Sequence, residues 1–430
     1  MKQPDLIRVH IWGRRVGALA PAGKALAFQY DPKWEKLAVE LAPFLMPLGS
    51  ESRVFSFPSL NDETYRGAPG LVADALPDAF GNALINAWMS SRGIRAADVT
   101  TLDRLAYMGR RGMGALEFHP MYTGSVESAE PIRLQHLVEE ARRAIHGGLS
   151  NDKAAKNALE DIIRVGTSAG GARAKAVIAW NQTTDEIRSG QFDVAPGFEH
   201  WLLKFDGVDP ASIALGSPKT YGRIEYAYAQ MAAAAGITMA PSRLLEENGR
   251  AHFMTKRFDR DGNTKVHMQS LCAIRHLDYN TPGVHAYEEL FATADDLHVG
   301  AAAMTQLFAR AAFNIVASNN DDHTKNFAFL LRENGAWEIA PAYDVTFSYR
   351  AESKWTREHQ MSVNRKFSGI TFDDLRLLAD RYSIAAADET LQRVQLAVEQ
   401  WKDFAASASV SKDHVSRVHA RLTEIAPDFK

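Results

Sequence analysis

The feature of this sequence that most constrains its fold is a change of hydrophobic pattern near Arg260. Before it, short segments such as IRVHIWGRRVGALAP, HWLLKF and RLLEENGRAHFMTKRF predict strands, and helical segments lie between them. Beyond it, apolar residues recur every three or four positions, which predicts helices at 285–297, 300–318, 371–381, 386–406 and 411–425. A loop-rich insertion covers about 319–370. We therefore predict an α+β protein with two lobes and a cleft where MTKRFDR ends.

The domain organisation follows from length and from one polar stretch. The chain has 430 residues, enough for two to three domains of roughly 100–200 residues each. The Ser/Glu-rich segment GSVESAEP after the strand-like MGALEFHPMY is typical of a linker. We predict an N-terminal subdomain over 1–125, a mixed α/β lobe over 126–258 and an all-helical lobe over 259–430.

Charge and cysteine content exclude several function classes. With 49 Lys+Arg against 52 Asp+Glu, the chain does not bind nucleic acid through a global basic charge. The single Cys272 excludes an intramolecular disulfide and a multi-cysteine zinc site. The start MKQPDLIRVHIWG lacks the apolar core of a signal peptide, and no run approaches 18 apolar residues. We expect a cytoplasmic protein without a membrane partner.

The segment NNDDHTKNFAFLL carries the strongest chemical signal. Asp321 and Asn326 are five residues apart, and Asp344 follows 18 residues later in IAPAYDVTF. Phosphoryl transfer in protein kinases uses one carboxylate for the substrate hydroxyl, plus an amide oxygen and a second carboxylate for Mg²⁺. Two alternatives stay open: NNDD caps a helix and turns the chain, or Asp321, Asp322 and His323 are ligands of a metal-dependent hydrolase.

Two further features precede this segment. The loop GTSAGGARAKA lets backbone N–H groups approach a phosphate, and Arg173 and Lys175 add charge, although such a loop is more often a turn. Lys204 lies in an apolar strand, and Glu225 lies 21 residues further on in a predicted helix. This matches the Lys–Glu pair that positions phosphates in kinases, or else Lys204 is a surface lysine. The order of all these features favours a kinase over separate coincidences.

At these residues the sequence resembles the HipA family of bacterial serine/threonine kinases, the toxins of HipA–HipB toxin–antitoxin pairs. SAGGARAKA resembles the phosphate loop of that family, FMTKRFDR its interlobe hinge, NDDHTKNFAF its catalytic loop and PAYDV its metal-binding segment. IWGRRVGALAPAG and MGALEFHP resemble its N-terminal subdomain more loosely. The resemblance covers nearly the whole chain and implies a two-lobed, protein-kinase-like fold that uses ATP and Mg²⁺.

The resemblance also implies roles for individual residues. Asp321 corresponds to the catalytic aspartate, with His323 and Lys325 in support, and Asn326 and Asp344 to the Mg²⁺ ligands. Asp322 beside Asp321 leaves open which carboxylate acts, although the step of five to Asn326 favours Asp321. Lys256 and Phe258 would bond adenine through their backbone, and Asp259 would lie near the ribose. The implied nucleotide-binding residues are Ser168, Ala169, Gly170, Gly171, Ala172, Arg173, Lys175, Lys204, Glu225, Lys256, Phe258 and Asp259.

Regulation and partners are implied in the same way. Ser168 corresponds to the serine whose autophosphorylation ejects the phosphate loop and inactivates the kinase. The implied partners are a small helix-turn-helix antitoxin of HipB type, which alone contacts DNA, and a housekeeping protein substrate, with an aminoacyl-tRNA synthetase as one candidate. The segment VTFSYRAESKWTREHQMSVNRK carries five Lys/Arg against two Glu, which suits either a substrate-docking loop or a solvated surface loop. The alternative function is a catalytically silent nucleotide-binding co-regulator in a DNA-bound antitoxin complex.

Overall fold

The structure is a computed structural model that describes residues 2–77, 79–122, 175–206, 220–247, 249–333 and 335–429. The predicted linker near residue 125 and the predicted phosphate loop at 168–173 lie outside these ranges. Within the ranges, no helix combines the length and the apolar character needed to cross a membrane.

The first region is a five-stranded sheet flanked by helices. Its strands are β1 (Ile7–Ile11), β2 (Arg14–Ala22), β3 (Ala25–Tyr30), β4 (Phe55–Ser56) and β5 (Glu117–His119), in the order β4-β3-β2-β1-β5. The β1–β2 turn places Trp12 and Gly13 at positive φ, the geometry that matches the twist of a two-residue hairpin. The helices are α1 (Pro32–Glu35), α2 (Asp62–Tyr65), α3 (Gly70–Ala73), α4 (Ala79–Ser90) and α5 (Thr101–Met108).

The second region is an antiparallel sheet with one helix packed against it. Its strands are β6 (Lys175–Asn181), β7 (Glu186–Ser189), β8 (Phe198–Lys204), β9 (Ser242–Glu247) and β10 (Arg250–Lys256), in the order β7-β6-β8-β10-β9. Helix α6 (Tyr221–Ala234) lies so close to β10 that a Cβ at Gly222 would come 2.1 Å from the carbonyl oxygen of Ala251. A glycine is therefore required at this crossing.

The third region is mainly helical. Its helices are α7 (Leu271–Arg275), α8 (Tyr287–Asp296), α9 (Ala301–Val316), α10 (Phe372–Arg381), α11 (Ala387–Glu399), α12 (Trp401–Ser407) and α13 (Lys412–Ile425). The helix predicted over 386–406 is two helices that meet at Gln400, where ψ is 14°. Helix α7 was not predicted, and the ends of α8, α9, α10 and α13 lie within two residues of the predicted ones.

One detail of the predicted fold is corrected: the C-terminal lobe is not all-helical. It contains the short strands β11 (Arg260–Asp261), β12 (Thr264–Lys265), β13 (His267–Ser270), β14 (His285–Ala286), β15 (Ala328–Leu331), β16 (Trp337–Ile339) and β17 (Met361–Ser362). Strands β13, β15 and β16 form a small antiparallel sheet. Their sequence periods are too short to distinguish a strand from a loop, because two to four residues show no alternation.

Two large clusters of buried apolar side chains hold the described ranges together. One joins the first sheet to the second, with Val9, Phe28, Ile178 and Trp201 among its members. The other fills the helical region and takes in one face of α6, including Tyr228. A small cavity in the helical region, lined by Asn326, Tyr343 and Asp344 among others, is called the cleft below. The domain boundaries at 125 and 258 stay predictions.

Candidate active site

Two lysines from neighbouring strands begin the candidate site. Lys175 at the start of β6 lies directly opposite Lys204 at the end of β8, so that both side chains are on one face of the sheet. Lys204 is buried, and its Nζ lies 2.5 Å from Oε1 of Glu225 on α6. The structure thus brings together the predicted Lys204 and Glu225, and a buried lysine with a buried carboxylate partner is not a surface residue.

Asp344 completes this cluster from the other side of the cleft. It forms an ion pair with Lys204, and its φ of 53° lies in the left-handed region that few residues other than glycine adopt. A backbone in that conformation turns the chain sharply and is frequent at functional positions. About a third of the Asp344 side chain is exposed, so one side of the cluster stays open to the cleft.

The charges in this cluster are strongly coupled. Burial alone would lower the pKa of Lys204, but Asp344 and Glu225 outweigh burial and raise that pKa above its ordinary value. Burial would raise the pKa of Asp344, but Lys204 and then Lys175 outweigh it and lower that pKa. Both groups therefore stay charged at neutral pH, as a site for phosphate and a divalent cation requires.

The loop after α9 separates the roles of its two adjacent aspartates. Asp322 is fully buried and accepts hydrogen bonds from the hydroxyl of Tyr287 at 2.7 Å, from Nδ1 of His359 at 2.9 Å and from the backbone N–H of Gln360 at 2.7 Å. Asp321 is about half exposed, with its Oδ1 3.9 Å from Nε2 of His323. Asp322 is therefore an anchor of the loop, and Asp321 is the carboxylate that a substrate can reach.

Asn326 is held in a defined orientation beside Asp344. Its Nδ2 donates to the backbone oxygen of Asp321 at 2.7 Å, which leaves the side-chain oxygen for another ligand. Asn326 and Asp344 line the same small cavity, whose wall also includes Tyr343. The hydroxyl of Tyr343 donates to the backbone oxygen of Lys325 at 2.8 Å and so ties the two segments together.

This geometry suits Mg²⁺ better than zinc. An amide oxygen and a carboxylate are hard ligands, and Mg²⁺ in nucleotide sites uses one or two such groups plus phosphate and water. Across the described ranges, no three His, Cys, Asp or Glu residues are grouped so that they could hold a metal. The hydrolase alternative also loses Asp322 as a ligand, since hydrogen bonds already occupy its two oxygens.

The adenine-binding role of Lys256 and Phe258 stays a prediction. The backbone N–H of Lys256 donates to Pro241 at 2.8 Å, and its Nζ pairs with Glu199 at 2.5 Å. The Phe258 ring lies 5.5 Å from that of Tyr343, at the edge of the cleft. Both residues border the hinge between β10 and the third region.

The predicted place of Asp259 near the ribose does not fit the structure. Its carboxylate is completely buried and accepts from Arg257 at 2.7 Å, from Arg260 at 2.9 Å and from the backbone N–H of Gly114 at 2.7 Å. Burial would raise the pKa of Asp259, but the two arginines outweigh it and lower that pKa. Asp259 therefore joins the hinge to the N-terminal region and does not face the nucleotide.

The remaining predicted residues divide into two groups. The phosphate-loop residues Ser168, Ala169, Gly170, Gly171, Ala172 and Arg173 lie outside the described residues. The basic segment after Asp344 lies against the catalytic loop, because Asn320 Nδ2 donates to the backbone oxygen of Thr356 at 3.2 Å. Within it, Lys354 and Arg357 are exposed, whereas Lys366 pairs with Asp374 at 2.8 Å.

Sequence reasoning missed the residues that hold the predicted catalytic loop. Tyr287, His359 and Gln360 reach Asp322 from 35 to 38 residues away. Asp74 of the N-terminal region bonds the start of α7, which borders the same loop. The Asp322 partners had one sequence signal, an unexplained acidic residue beside the predicted catalytic one, but nothing in the sequence points to Asp74.

Comparisons with known proteins agree with this architecture. A family model described as the HipA-like C-terminal domain matches residues 167–422, and one described as the HipA N-terminal domain matches residues 7–119. The putative kinase Y4mE of Sinorhizobium fredii is 29% identical over 126 residues, which are 27% of this chain and 30% of that protein. The match thus spans less than a third of that curated relative.

Two solved structures are similar to parts or all of the chain. A chain in the complex of HipA, HipB and operator DNA from Shewanella oneidensis MR-1 matches with a TM-score of 0.66 and 16% identity, over 97% of this chain and 95% of that chain. The proinflammatory kinase CtkA of Helicobacter pylori matches with a TM-score of only 0.30 and 12% identity, over 53% of this chain and 92% of that chain. The first match confirms the predicted two-lobed, HipA-like α+β fold. Because one family model covers residues 167–422 of 430 and a second covers residues 7–119, this protein belongs to the HipA family.

Proposed function

We propose that this protein is an ATP- and Mg²⁺-dependent serine/threonine protein kinase and the toxin of a toxin–antitoxin pair. The observation that carries the proposal is the ion cluster of Lys175, Lys204, Glu225 and a partly exposed Asp344, together with a half-exposed Asp321 in the loop that bears Asn326. Separate structural roles do not explain why two buried lysines and two carboxylates converge on an accessible cleft. A phosphate-binding and phosphate-transferring site does.

In the proposed reaction, each residue has one task. Lys204 and Lys175 attract the ATP phosphates, and Glu225 keeps Lys204 in place. Asp321 orients the substrate hydroxyl and takes its proton as the hydroxyl oxygen bonds to the γ-phosphorus and the bond to the bridging oxygen of ADP breaks. Asn326 and Asp344 would hold Mg²⁺, which neutralises charge on the phosphates. His323, 3.9 Å from Asp321, and Lys325 support the loop.

The basic segment supports a protein substrate with an acidic surface. Lys354 and Arg357 are exposed next to the catalytic loop, where a bound substrate would present its hydroxyl. The similar protein from Shewanella oneidensis was solved with HipB and operator DNA. We propose that this chain likewise pairs with a small helix-turn-helix antitoxin and meets DNA only through it, in the cytoplasm.

The self-inactivation is also a proposal. A phosphate on Ser168 would add negative charge to the predicted phosphate loop and repel ATP. Peptide mapping of the chain after incubation with ATP identifies the modified residue, and phosphate at a residue other than Ser168 contradicts the assignment.

The decisive experiment measures transfer of the radiolabelled γ-phosphate from ATP with Mg²⁺ to the chain itself and to lysate proteins. We compare wild type, Asp321→Asn and Asp388→Asn, whose carboxylate is exposed and pairs with Arg376. We expect Asp321→Asn to lose at least about 10²-fold of the rate, because no carboxylate then accepts the hydroxyl proton. Asp388→Asn should match wild type.

Two outcomes contradict the proposal. Equal labelling by wild type and Asp321→Asn removes Asp321 from catalysis. ATP binding by wild type in calorimetry without transfer to any protein supports the silent co-regulator instead.

A further inference from the structure

The N-terminal region reaches the catalytic loop through the short helix α7. Asp74, directly after α3, accepts from the backbone N–H of Ser270 at 2.6 Å and from the Ser270 hydroxyl at 2.9 Å. The same hydroxyl oxygen accepts from the backbone N–H of Ala273 at 3.2 Å and caps α7. One carboxylate from the first region thus fixes both the backbone and the cap at the start of this helix.

Helix α7 and the loop that follows it touch the catalytic loop directly. The backbone N–H of Leu271 donates to the oxygen of Phe327 at 2.8 Å, one residue after Asn326. The hydroxyl of Thr324 donates to the oxygen of Leu277 at 2.7 Å. Both ends of the Thr324–Asn326 turn are therefore fastened to the segment that Asp74 holds.

The carboxylate of Asp74 also interacts electrostatically with Lys325 of this loop. Burial raises the pKa of Asp74, and Lys325 opposes that rise, so the two charges lie close enough to interact. Lys325 is one of the residues proposed to support phosphate transfer. Asp74 therefore meets the catalytic loop both through α7 and through its charge.

A second contact from the first region reaches the same place. Asn61 Nδ2 donates to Oδ2 of Asp278 at 2.7 Å, and the hydroxyl of Thr64 donates to its Oδ1. The next residue, Tyr279, has its ring 5.1 Å from the His323 ring and 5.1 Å from Nζ of Lys325. These contacts hold an aromatic wall beside the two supporting residues.

The close approach of the two regions is built into the backbone. A Cβ at Gly70 would come 2.0 Å from the carbonyl oxygen of Ala273, and the N–H of Gly70 donates to Nε2 of His276 at 2.9 Å. The Tyr65 hydroxyl donates to the backbone oxygen of Cys272 at 3.1 Å. The N-terminal region thus contacts α7 and its two flanking residues, from Ser270 to His276.

We propose that Asp74 is a positioning residue for phosphate transfer: acting through Ser270 and α7, it holds the Thr324–Asn326 turn so that Asp321 and Asn326 face the nucleotide. The inference rests on the proposed function and assigns a task to the N-terminal subdomain within it. A displacement of about 1 Å at a reacting group costs on the order of 10²-fold in rate. We expect the loss of Asp74 to lower kcat and not to raise the KM for ATP. The proposed phosphate-binding residues Lys204 and Lys175 belong to the second sheet and not to α7.

The test compares Asp74→Ala, Asp74→Asn and Asp103→Ala in the full chain. Asp103 is the matched control, a buried carboxylate of the same region that caps α5 and bonds Thr100 and Gln3, all within residues 2–122. We expect Asp74→Ala to lower kcat by about 10- to 100-fold, with the KM for ATP within about twofold of wild type. Asp74→Asn keeps an oxygen acceptor for Ser270 and should recover part of the rate. Asp103→Ala should lower the unfolding temperature and keep kcat.

A second readout does not depend on activity. Hydrogen–deuterium exchange of peptides that span 320–328, measured without ATP, should be faster in Asp74→Ala and unchanged in Asp103→Ala. Wild-type kcat in Asp74→Ala, or an equal loss of kcat in Asp103→Ala, overturns the inference. If wild type transfers no phosphate, the proposed function fails, and the exchange result alone decides whether Asp74 holds the loop.

Discussion

The protein contains one ion cluster at the hinge and another at the cleft, and the two differ in their access to water. The hinge cluster consists of Arg257, Asp259 and Arg260, and the cleft cluster of Lys175, Lys204, Glu225 and Asp344. In the hinge cluster the Asp259 side chain is 0% exposed, and its two arginines also donate to the backbone oxygen of Gly112 at 3.2 Å. In the cleft cluster the Asp344 side chain is 33% exposed.

The difference teaches that a shifted pKa does not by itself identify a functional site. Asp259 and Asp344 both have pKa values held below the ordinary range by neighbouring cations that outweigh burial. The hinge cluster is closed by carbonyl groups, so no ligand can enter it. Of these two clusters, only the cleft cluster has a partly exposed carboxylate, and access therefore separates a structural ion pair from a candidate site.

The largest expected effect is the loss of phosphate transfer when the cleft cluster is broken by Asp344→Asn. The substitution keeps the side-chain shape and removes the charge that would hold Mg²⁺, so we expect phosphate transfer to fall by about 10³-fold. The unfolding free energy should change by less than about 1 kcal/mol, because Lys204 keeps Glu225 as a partner and Asp344 is partly exposed. Initial rates of transfer and urea unfolding measure the two quantities.

The control for this variant is calorimetry with ATP in the absence of Mg²⁺, where binding should persist through Lys204. Transfer at wild-type rate in Asp344→Asn would remove Asp344 from the proposed reaction. A loss of several kcal/mol in stability would instead show that the cleft cluster is mainly structural.

The second largest expected effect is a loss of stability when the hinge cluster is broken by the same chemical change, Asp259→Asn. Two buried arginines then lose their countercharge, and we expect the unfolding free energy to fall by about 3 kcal/mol. Urea unfolding detects the loss, and transfer assays at 15 °C, where the variant stays folded, should give a kcat within about twofold of wild type. A large loss of kcat without a loss of stability would contradict this assignment and support the original prediction that Asp259 lies near the ribose.

The site shows where sequence reasoning succeeds and where it stops. The sequence predicts Lys204 and Glu225 as partners because a lysine in an apolar strand needs a countercharge, and the next helix offers one. The choice between Asp321 and Asp322 depends on which side chain meets Tyr287, His359 and Gln360, and no local pattern contains that information. The prediction for Asp259 is wrong because RFDR at a hinge looks the same whether the carboxylate faces a nucleotide or Gly114, 145 residues away.

The fold follows the same rule. Long amphipathic segments such as Ala301–Val316 are predicted to within two residues, because a 3.6-residue period over four turns is specific. The break at Gln400 and the small sheet of β13, β15 and β16 are missed. Tertiary contacts define both, since β13 and β15 pair across about 60 residues of sequence, and a window of local sequence does not contain the partner.

The smallest expected effect is the pH dependence of the stabilisation that Asp259 provides, compared with that of Asp344. The pKa of Asp259 lies below its ordinary value of 3.8 in the folded chain, so the ionised form stabilises the fold fully above that pH. As the pH falls below about 4, the unfolded chain binds a proton that the folded chain does not, and the stabilisation declines by about 1 kcal/mol per pH unit. The gap in unfolding free energy between wild type and Asp259→Asn should therefore be constant from pH 7 to 5 and narrow towards pH 3. Urea unfolding at each pH measures the gap, and the same series on Asp344→Asn should narrow in the same direction but by less, because the pKa of Asp344 is also lowered while solvent screens part of its charge. A gap for Asp259→Asn that stays constant down to pH 3 would mean that hydrogen-bond geometry, and not charge, closes the hinge cluster.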